Sequence, residues 1–148
     1  MQPVGVALAT VTACMAVVLA GCAGASAEQV AIPGADASPT SVARAYVAAL
    51  NAHDDRAVRK LSTTPESVAW LDDVEQISHL QVTGVRPEKP RWSGEPAGTK
   101  VRHVGVQFDV DWGRFSDGSI EDGHTVWGYW LKRDASTGRW VIFNEGVG

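Results

Sequence analysis

Val104-Gly105-Val106-Gln107-Phe108-Asp109-Val110-Asp111-Trp112 is the stretch that decides the fold of this chain. Large apolar side chains alternate strictly with glycine or polar residues along it. Because neighbouring side chains of a β-strand point to opposite faces of the sheet, this alternation is typical of a strand with one buried and one solvated face. The sequence therefore predicts Gln107, Asp109 and Asp111 on a wet sheet face and the apolar residues between them in the core.

Three further segments have strand character. Ile77 to Arg86 precedes the central stretch, and Thr125 to Lys132 and Arg139 to Glu145 follow it. Asp134 to Gly138 joins the last two as a hairpin with glycine late in the turn. The pattern predicts a sheet of about four strands.

Helices are predicted before the strands. Ser38 followed by Pro39 is typical of an N-cap and the first residue of a helix. Asp54 or Asp55 would cap a short second helix, and Thr64-Pro65-Glu66 marks the start of a third. Helices followed by strands favour an α+β fold, in which N-terminal helices pack on one face of a curved antiparallel sheet.

The N-terminus has the pattern of a lipoprotein signal. Val4 to Leu19 is apolar apart from two threonines, and it is shorter than the ~20 residues of a confident membrane span. Leu19, Ala20, Gly21 and Cys22 follow as a lipobox, in which small residues precede a thiol that can carry a diacylglycerol. We predict cleavage after Gly21 and lipidation of Cys22.

This prediction divides the chain into three parts. Residues 1–21 would be a signal peptide, residues 22–37 a flexible tether rich in small residues, and residues 38–148 the folded domain. The protein would then be extracytoplasmic and lipid-anchored to the cell membrane. The alternative is an ordinary secretory signal cut near Ala25-Ser26-Ala27, which would release a soluble protein.

The composition restricts the partners that the chain is expected to bind and the kinds of reactive site that it can contain. The chain has 13 Lys and Arg against 17 Asp and Glu, without a basic block, so nucleic acid is not an expected partner. Its 2 cysteines are Cys14, in the predicted signal peptide, and Cys22. The mature domain would therefore contain no disulfide, no cysteine nucleophile and no thiolate zinc site. We expect neither a cofactor nor a metal.

The histidines do not indicate a set of acid and base side chains that meet at one site. His53 precedes two aspartates and is interpreted as part of a polar helix end. His103 has the same strand parity as Gln107, so it is predicted on the solvated sheet face. No catalytic residue is assigned.

Tryptophan is abundant, with 6 in 148 residues. Trp127 and Trp130 lie three apart on one predicted strand and should point to opposite faces, so one of them needs cover from outside the core. The alternative is that the large aromatic residues simply fill the core. The candidates for walling a ligand cavity are Tyr46, Trp70, Trp112, Trp127, Trp130 and Trp140.

The chain resembles the nuclear transport factor 2-like, or cystatin-like, superfamily, and within it small lipoproteins of actinobacteria. The resemblance covers residues 38–148 and rests on Pro39 to Asp54 as opening helix, on Thr125-Val126-Trp127-Gly128-Tyr129-Trp130-Leu131, and on Arg139-Trp140-Val141-Ile142 with Glu145-Gly146-Val147-Gly148. It implies a cone-shaped sheet around a cavity. Relatives of this fold commonly pair through the wet sheet face, so the resemblance also implies a possible homodimer.

The sequence leaves two functional hypotheses. The first is a membrane-anchored lipoprotein whose domain is a non-catalytic module for a small ligand or an envelope protein. The alternative is an isomerase- or dehydratase-like enzyme in which His103 or His53 and an aspartate transfer a proton in the cavity. Fold alone does not choose between them.

Overall fold

The computed structural model describes residues 29–64, 66–113 and 121–147, and over these residues it confirms an α+β fold. The predicted signal peptide and Cys22 lie outside them. None of the described helices is both long and apolar enough to span a membrane. The elements are α1 (Pro39–Asn51), α2 (Asp55–Leu61), α3 (Glu66–Asp73), β1 (Val74–Glu88), a 3₁₀ turn (Pro90–Trp92), β2 (Val101–Trp112), β3 (Gly123–Arg133) and β4 (Trp140–Gly146).

Side-chain caps start the helices where the sequence predicts them. The Ser38 hydroxyl accepts a hydrogen bond from the Ser41 N–H at 3.1 Å at the start of α1. Asp54 accepts one from the Ala57 N–H at 3.0 Å, so Asp54 rather than Asp55 caps α2. Each capping side chain accepts a hydrogen bond from a helical N–H that has no intrahelical partner. The cap therefore fixes where the helix begins.

The strands form one antiparallel sheet in the order β1-β2-β3-β4, so each strand pairs with its neighbours in sequence. The β3–β4 hairpin closes through a bond from the Asp134 N–H to the Arg139 carbonyl at 2.8 Å, and Gly138 adopts φ 68°, which glycine tolerates best. β1 begins at Val74 instead of Ile77 because α3 runs into it without a loop.

The helices cover one face of the sheet, and the core lies between the two layers. Alternate residues of β2 are fully or almost fully buried there, as the alternation predicts. We call the opposite face the outer face; it carries the remaining β2 residues. The buried β2 residues in the core cluster are Val104, Val106, Phe108 and Val110.

Part of the segment predicted as a tether lies against the domain. Val30 and Ile32 are partly buried against the core. The Val30 N–H donates to the Asp54 carboxylate at 2.9 Å, and Arg56 donates to the Val30 carbonyl at 3.1 Å. Residues 29–37 are therefore held by the same carboxylate that caps α2.

Candidate functional site

The predicted cavity aromatics are divided between the two faces of the sheet. Trp70 lies between Trp112 and Trp127, with ring centroids 4.9 Å and 5.0 Å away, inside the layer between helices and sheet. Tyr46 and Trp140 are also buried there. Trp130 instead contacts the His103 ring on the outer face, as the opposite parity of Trp127 and Trp130 requires. The structure therefore does not bring all six together around one cavity.

A row of four glycines crosses the outer face. Gly84 pairs with Gly105, Gly105 with Gly128, and Gly128 with Gly146, so each strand contributes one glycine to the same line. Directly paired residues of an antiparallel sheet share a face. The row therefore carries no side chains of its own across the sheet, and we call it the glycine row. Neighbouring side chains cover Gly128 and also Gly105, where a built Cβ would lie 2.7 Å from Thr83 Oγ1, whereas Gly84 and Gly146 are open.

His103 lies over this row and is almost completely buried, with 4% of its surface exposed. A Cβ built on Gly128 would lie 2.5 Å from His103 Nε2, and one built on Gly105 would lie 3.7 Å from His103 Cε1. The ring thus occupies space that is open because the neighbouring strands carry glycine. The prediction that His103 is solvated is wrong for this reason, since the indole of Trp130 and the bare backbone enclose it.

The buried imidazole has an unused hydrogen-bonding atom. His103 Nε2 has no hydrogen-bond partner among the described residues. Burial, and then the positive charge of Arg86, lower the pKa of His103, with the charge of Glu88 opposing them. The ring is accordingly favoured in its neutral form, in which one nitrogen donates and the other accepts.

A groove of about 300 Å³ opens beside this ring, and we call it the His103 groove. Gly84 and Gly105 belong to its lining together with His103. The other lining residues used below are Thr83, Arg86 and Val126. Volumes of this size lie at the lower end of those that bind small molecules.

A second polar cluster lies on the helix side of the sheet, around Glu145. Its Oε1 accepts hydrogen bonds from the Tyr46 hydroxyl at 3.2 Å, Thr64 Oγ1 at 3.1 Å and Ser67 Oγ at 3.4 Å. The Ser67 hydroxyl also donates to Ser62 Oγ at 2.5 Å. We call these five residues the hydroxyl cluster. It ties α1 and α3 to the end of β4.

Burial raises the pKa of Glu145, and the surrounding donors only partly offset it. The Trp127 indole N–H acts on this carboxyl as a donor, although it forms no hydrogen bond of ordinary geometry. Burial, and then the nearby charge of Glu145, raise the pKa of Tyr129, whose hydroxyl has no hydrogen-bond partner among the described residues. The cluster therefore holds more polar atoms than it satisfies.

Two histidines share one carboxylate elsewhere on the outer face. His79 Nδ1 lies 2.8 Å from Asp109 Oδ2, and His124 Nδ1 lies 3.2 Å from Asp109 Oδ1. These contacts lower the pKa of Asp109, the His79 bond first. All three side chains are exposed to water, which weakens the electrostatic effects that catalysis needs. No described group of three or more His, Cys, Asp or Glu is arranged to hold a metal ion.

The hypothesis of a proton-transfer enzyme named His53 and His103, and neither ring forms a hydrogen bond with a carboxylate among the described residues. His53 Nδ1 lies 3.1 Å from the Leu71 carbonyl at the end of α3, not against a carboxylate. His103 stacks on Trp130. Glu145 and the glycine row are not predicted from the sequence, because a glycine or an acid within a strand does not by itself indicate a site.

Comparison with known proteins gives one weak structural likeness. No protein-family model and no curated protein matches the sequence. The solution structure of a SEC-C motif containing protein from Rhodopseudomonas palustris is similar to this chain at 17% identity and a TM-score of 0.49, over 78% of this chain and 82% of that one.

The resemblance to nuclear transport factor 2-like domains, and to actinobacterial lipoproteins with that fold, is wrong. The matching solved structure is a SEC-C motif protein instead. The motifs behind the resemblance were the opening helix, Pro39 to Asp54, and aromatic and glycine residues of the last two strands. In the structure the helix and the aromatic residues pack in the core, and glycines of β3 and β4 belong to the glycine row. Such residues reflect how strands pack. Because packing of this kind occurs in many folds, these residues do not identify one fold family.

Proposed function

We propose that this chain is a membrane-anchored extracytoplasmic protein whose domain binds a small ligand in the His103 groove without transforming it. The observation that carries the proposal is the buried imidazole of His103, with an unpartnered nitrogen, lying over in-register glycines beside a groove of about 300 Å³. The glycine row alone is not evidence for a ligand. A buried polar atom without a hydrogen-bond partner is unusual, and a bound ligand can supply the missing partner.

The chemistry of the groove supports binding over catalysis. Its lining includes the half-exposed side chain of Val126, and its histidine is favoured as the neutral form. General acid–base catalysis needs a donor or acceptor within hydrogen-bond reach of the reacting atom and a second group to orient it. The groove residues provide apolar contact surface, the Thr83 hydroxyl, the Arg86 guanidinium and one neutral imidazole, which suits recognition.

The membrane anchor rests on the sequence Leu19-Ala20-Gly21-Cys22. A diacylglycerol supplies two acyl chains, and two chains are enough for durable attachment to a bilayer. Intact-mass measurement of the full chain, extracted from the membrane of the producing cell, tests this directly. We expect the mass of a chain that begins at a lipidated Cys22, and a Cys22→Ser variant should leave the membrane fraction. An unmodified thiol in the membrane-extracted protein would refute the anchor.

The groove is tested with a matched pair of glycine variants. Neither Gly84 nor Gly146 has any atom within 4 Å of a built Cβ, and neither has a positive φ, so both sites have room for a side-chain Cβ. Gly84 lines the His103 groove, whereas Gly146 is the β4 member of the row and is not among the lining residues. Saturation-transfer NMR on the full chain with benzoate, benzamide and phenol should show at least one bound ring. Gly84→Val should abolish that signal and Gly146→Val should keep it.

A second copy of the chain is the competing occupant of the outer face. Light scattering on the detergent-solubilised chain would then report a dimer, and single-ring probes would not bind. That result would replace the small-ligand proposal with a homodimer.

A further inference from the structure

One loop of the domain presents a large aromatic side chain to solvent. Residues 89–100 connect β1 to β2, and we call them the Trp92 loop. Trp92 is 66% exposed, whereas the other tryptophans of the described residues are buried or half-buried. An indole combines a large apolar surface with one polar N–H, so an exposed one suits a partner surface that is itself partly apolar and partly polar.

The exposed side chains beside Trp92 are cationic. Lys89 Nζ lies 4.7 Å from the centre of the Trp92 ring, and Arg91 Cζ lies 5.8 Å from it. Lys100, at the other end of the loop, is also exposed. None of these three cations has an acidic partner among the described residues. The Trp92 loop therefore carries unpaired positive charge on a chain whose formal net charge is -4.

The acids of the same region are largely buried and already paired. Glu88 Oε2 lies 3.6 Å from Arg86 Nε, and the Glu88 side chain is only 11% exposed. Glu95 Oε1 accepts a hydrogen bond from Lys132 Nζ at 2.8 Å, and the Glu95 side chain is 15% exposed. Because both acids lie against cations of the sheet, the exposed surface of the loop favours an anionic partner.

Hydrogen bonds within the Trp92 loop order its backbone. The N–H groups of Ser93 and Glu95 both donate to the Pro90 carbonyl, at 3.0 Å and 2.9 Å, and the Trp92 N–H donates to the Lys89 carbonyl at 3.0 Å. A loop that is ordered before it binds loses less conformational entropy on binding. The indole and its neighbouring cations therefore form one preorganised surface.

The predicted anchor and the Trp92 loop lie towards opposite ends of the sheet. Gln29 lies beside the C-terminal end of α1, near the last residues of β2. The Trp92 loop ends at the first residue of β2, so about 30 Å of strand separates it from Gln29. The seven residues from Cys22 to Gln29 reach at most about 25 Å. A domain anchored at Cys22 alone is therefore free to tilt, and a tilt brings the Trp92 loop to the same bilayer.

We propose that the Trp92 loop binds the surface of a bilayer that contains anionic phospholipids, with the indole among the headgroups and the three cations against lipid phosphates. The proposal rests on the membrane location in the proposed function, but not on the His103 groove. Indole rings favour this level of a bilayer because they are amphipathic. A weak contact is sufficient, since the anchor makes it an intramolecular one. The domain is then attached at two points, with its strands along the bilayer.

Tryptophan fluorescence tests the contact. The chain purified from the producing cell is mixed with excess vesicles of phosphatidylcholine and phosphatidylglycerol, whose brominated acyl chains quench an indole at the bilayer surface. We expect quenching in these vesicles, little quenching in phosphatidylcholine alone, and none in Trp92→Phe. Lys89→Gln and Arg91→Gln should each weaken the contact about fivefold, since a basic residue near an anionic surface contributes a factor of this size. The matched controls are Arg44→Gln and Lys60→Gln, which remove exposed cations from α1 and α2 and should leave the quenching unchanged.

The intact mass of the same sample separates this proposal from the anchor. Quenching that requires Trp92, in a chain with an unmodified Cys22, would refute the anchor and leave the loop contact. A lipidated Cys22 without quenching, or with quenching that survives Trp92→Phe, would overturn the loop contact and leave the anchor. Equal quenching in neutral and anionic vesicles, or equal losses in the loop variants and their controls, would also overturn the loop contact. Absence of both the lipid and the quenching would overturn both. Circular dichroism confirms that each variant is folded.

Discussion

The imidazole of His103 stacks on the indole of Trp130, with ring centroids 4.6 Å apart and planes inclined by 58°. The two residues are directly paired across β2 and β3. Both rings lean over Gly128, where a built Cβ would lie 2.5 Å from His103 Nε2 and 3.2 Å from Trp130 Cη2. The contact between the two rings therefore depends on the absence of a side chain at Gly128.

Gly128→Ala should destabilise the protein by about 1–3 kcal/mol, because the added methyl group must push both rings aside. The matched control is Gly146→Ala, the neighbour of Gly128 in the glycine row, where a built Cβ meets nothing within 4 Å. Urea denaturation of both variants and of the unaltered chain measures the difference. In a His103→Ala background the loss from Gly128→Ala should shrink. Equal stability of the two alanine variants would show that the rings move aside freely.

The sequence predicts the core face of β2 because that prediction needs only the alternation of side chains. Val104 to Val110 is local, and a period of two assigns each residue to a face. The burial of His103 is not local, since it depends on Gly128 and Trp130 one strand away. If the pairing of β2 with β3 is unknown, a histidine on the polar face of β2 is expected to be exposed to solvent.

The glycine row is even harder to predict, because it combines three strand pairings. A register shift between Trp130 and Leu131 separates the β3–β4 turn from the pair of Gly128 and Gly146, so counting residues back from that turn does not place these two glycines opposite each other. Gly84 and Gly105 are in regular register with Glu88 and Val101, but the long connection between β1 and β2 does not fix that register from the sequence. The burial of Glu145 also cannot be predicted from its own strand. It follows from the packing of α1 and α3 on the end of β4, and the spacing of residues in β4 does not indicate this packing.

Asn51→Ala should destabilise the protein by about 1–3 kcal/mol, because it leaves a backbone N–H and a carbonyl unpaired. Asn51 closes α1 and bonds the backbone of Ile77 twice, accepting from its N–H at 2.7 Å and donating to its carbonyl at 2.8 Å. Asn51→Asp keeps the acceptor and loses the donor, so its loss should be intermediate. Chemical denaturation gives the ranking; an aspartate variant as stable as the unaltered chain would contradict the role of the donor.

Tyr46→Phe and Tyr129→Phe should differ although the two rings touch, with centroids 5.5 Å apart. The Tyr46 hydroxyl donates to Glu145, so its removal should lower the free energy of unfolding by about 1–2 kcal/mol. The Tyr129 hydroxyl is buried without a hydrogen-bond partner among the described residues, so its removal should be neutral or stabilising. Thermal denaturation compares them. Equal losses would mean that the Tyr129 hydroxyl is bonded in solution.

Glu145→Gln should stabilise the protein relative to the unaltered chain at neutral pH, and this advantage should shrink in acid. Burial raises the pKa of Glu145 above its ordinary value of 4.5, so the folded state holds its proton to higher pH than the unfolded state does. The free energy of unfolding therefore falls as the pH rises from about 4.5 through the folded pKa. Glutamine stays neutral, can still accept the bonds from Tyr46 and Thr64, and avoids this loss.

The measurement is the difference in free energy of unfolding between Glu145→Gln and the unaltered chain, from urea denaturation at pH 2 to 7. Taking the difference cancels the other titrating groups. Asp134→Asn is the control of opposite sign, since hydrogen bonds from Ser136 and Thr137 lower the pKa of Asp134 to about 2. The unaltered chain should lose stability relative to that variant as the pH falls from about 4 towards 2. A Glu145→Gln difference that stays constant with pH, or shrinks towards neutrality, would mean that the hydroxyl cluster stabilises the carboxylate as a charge.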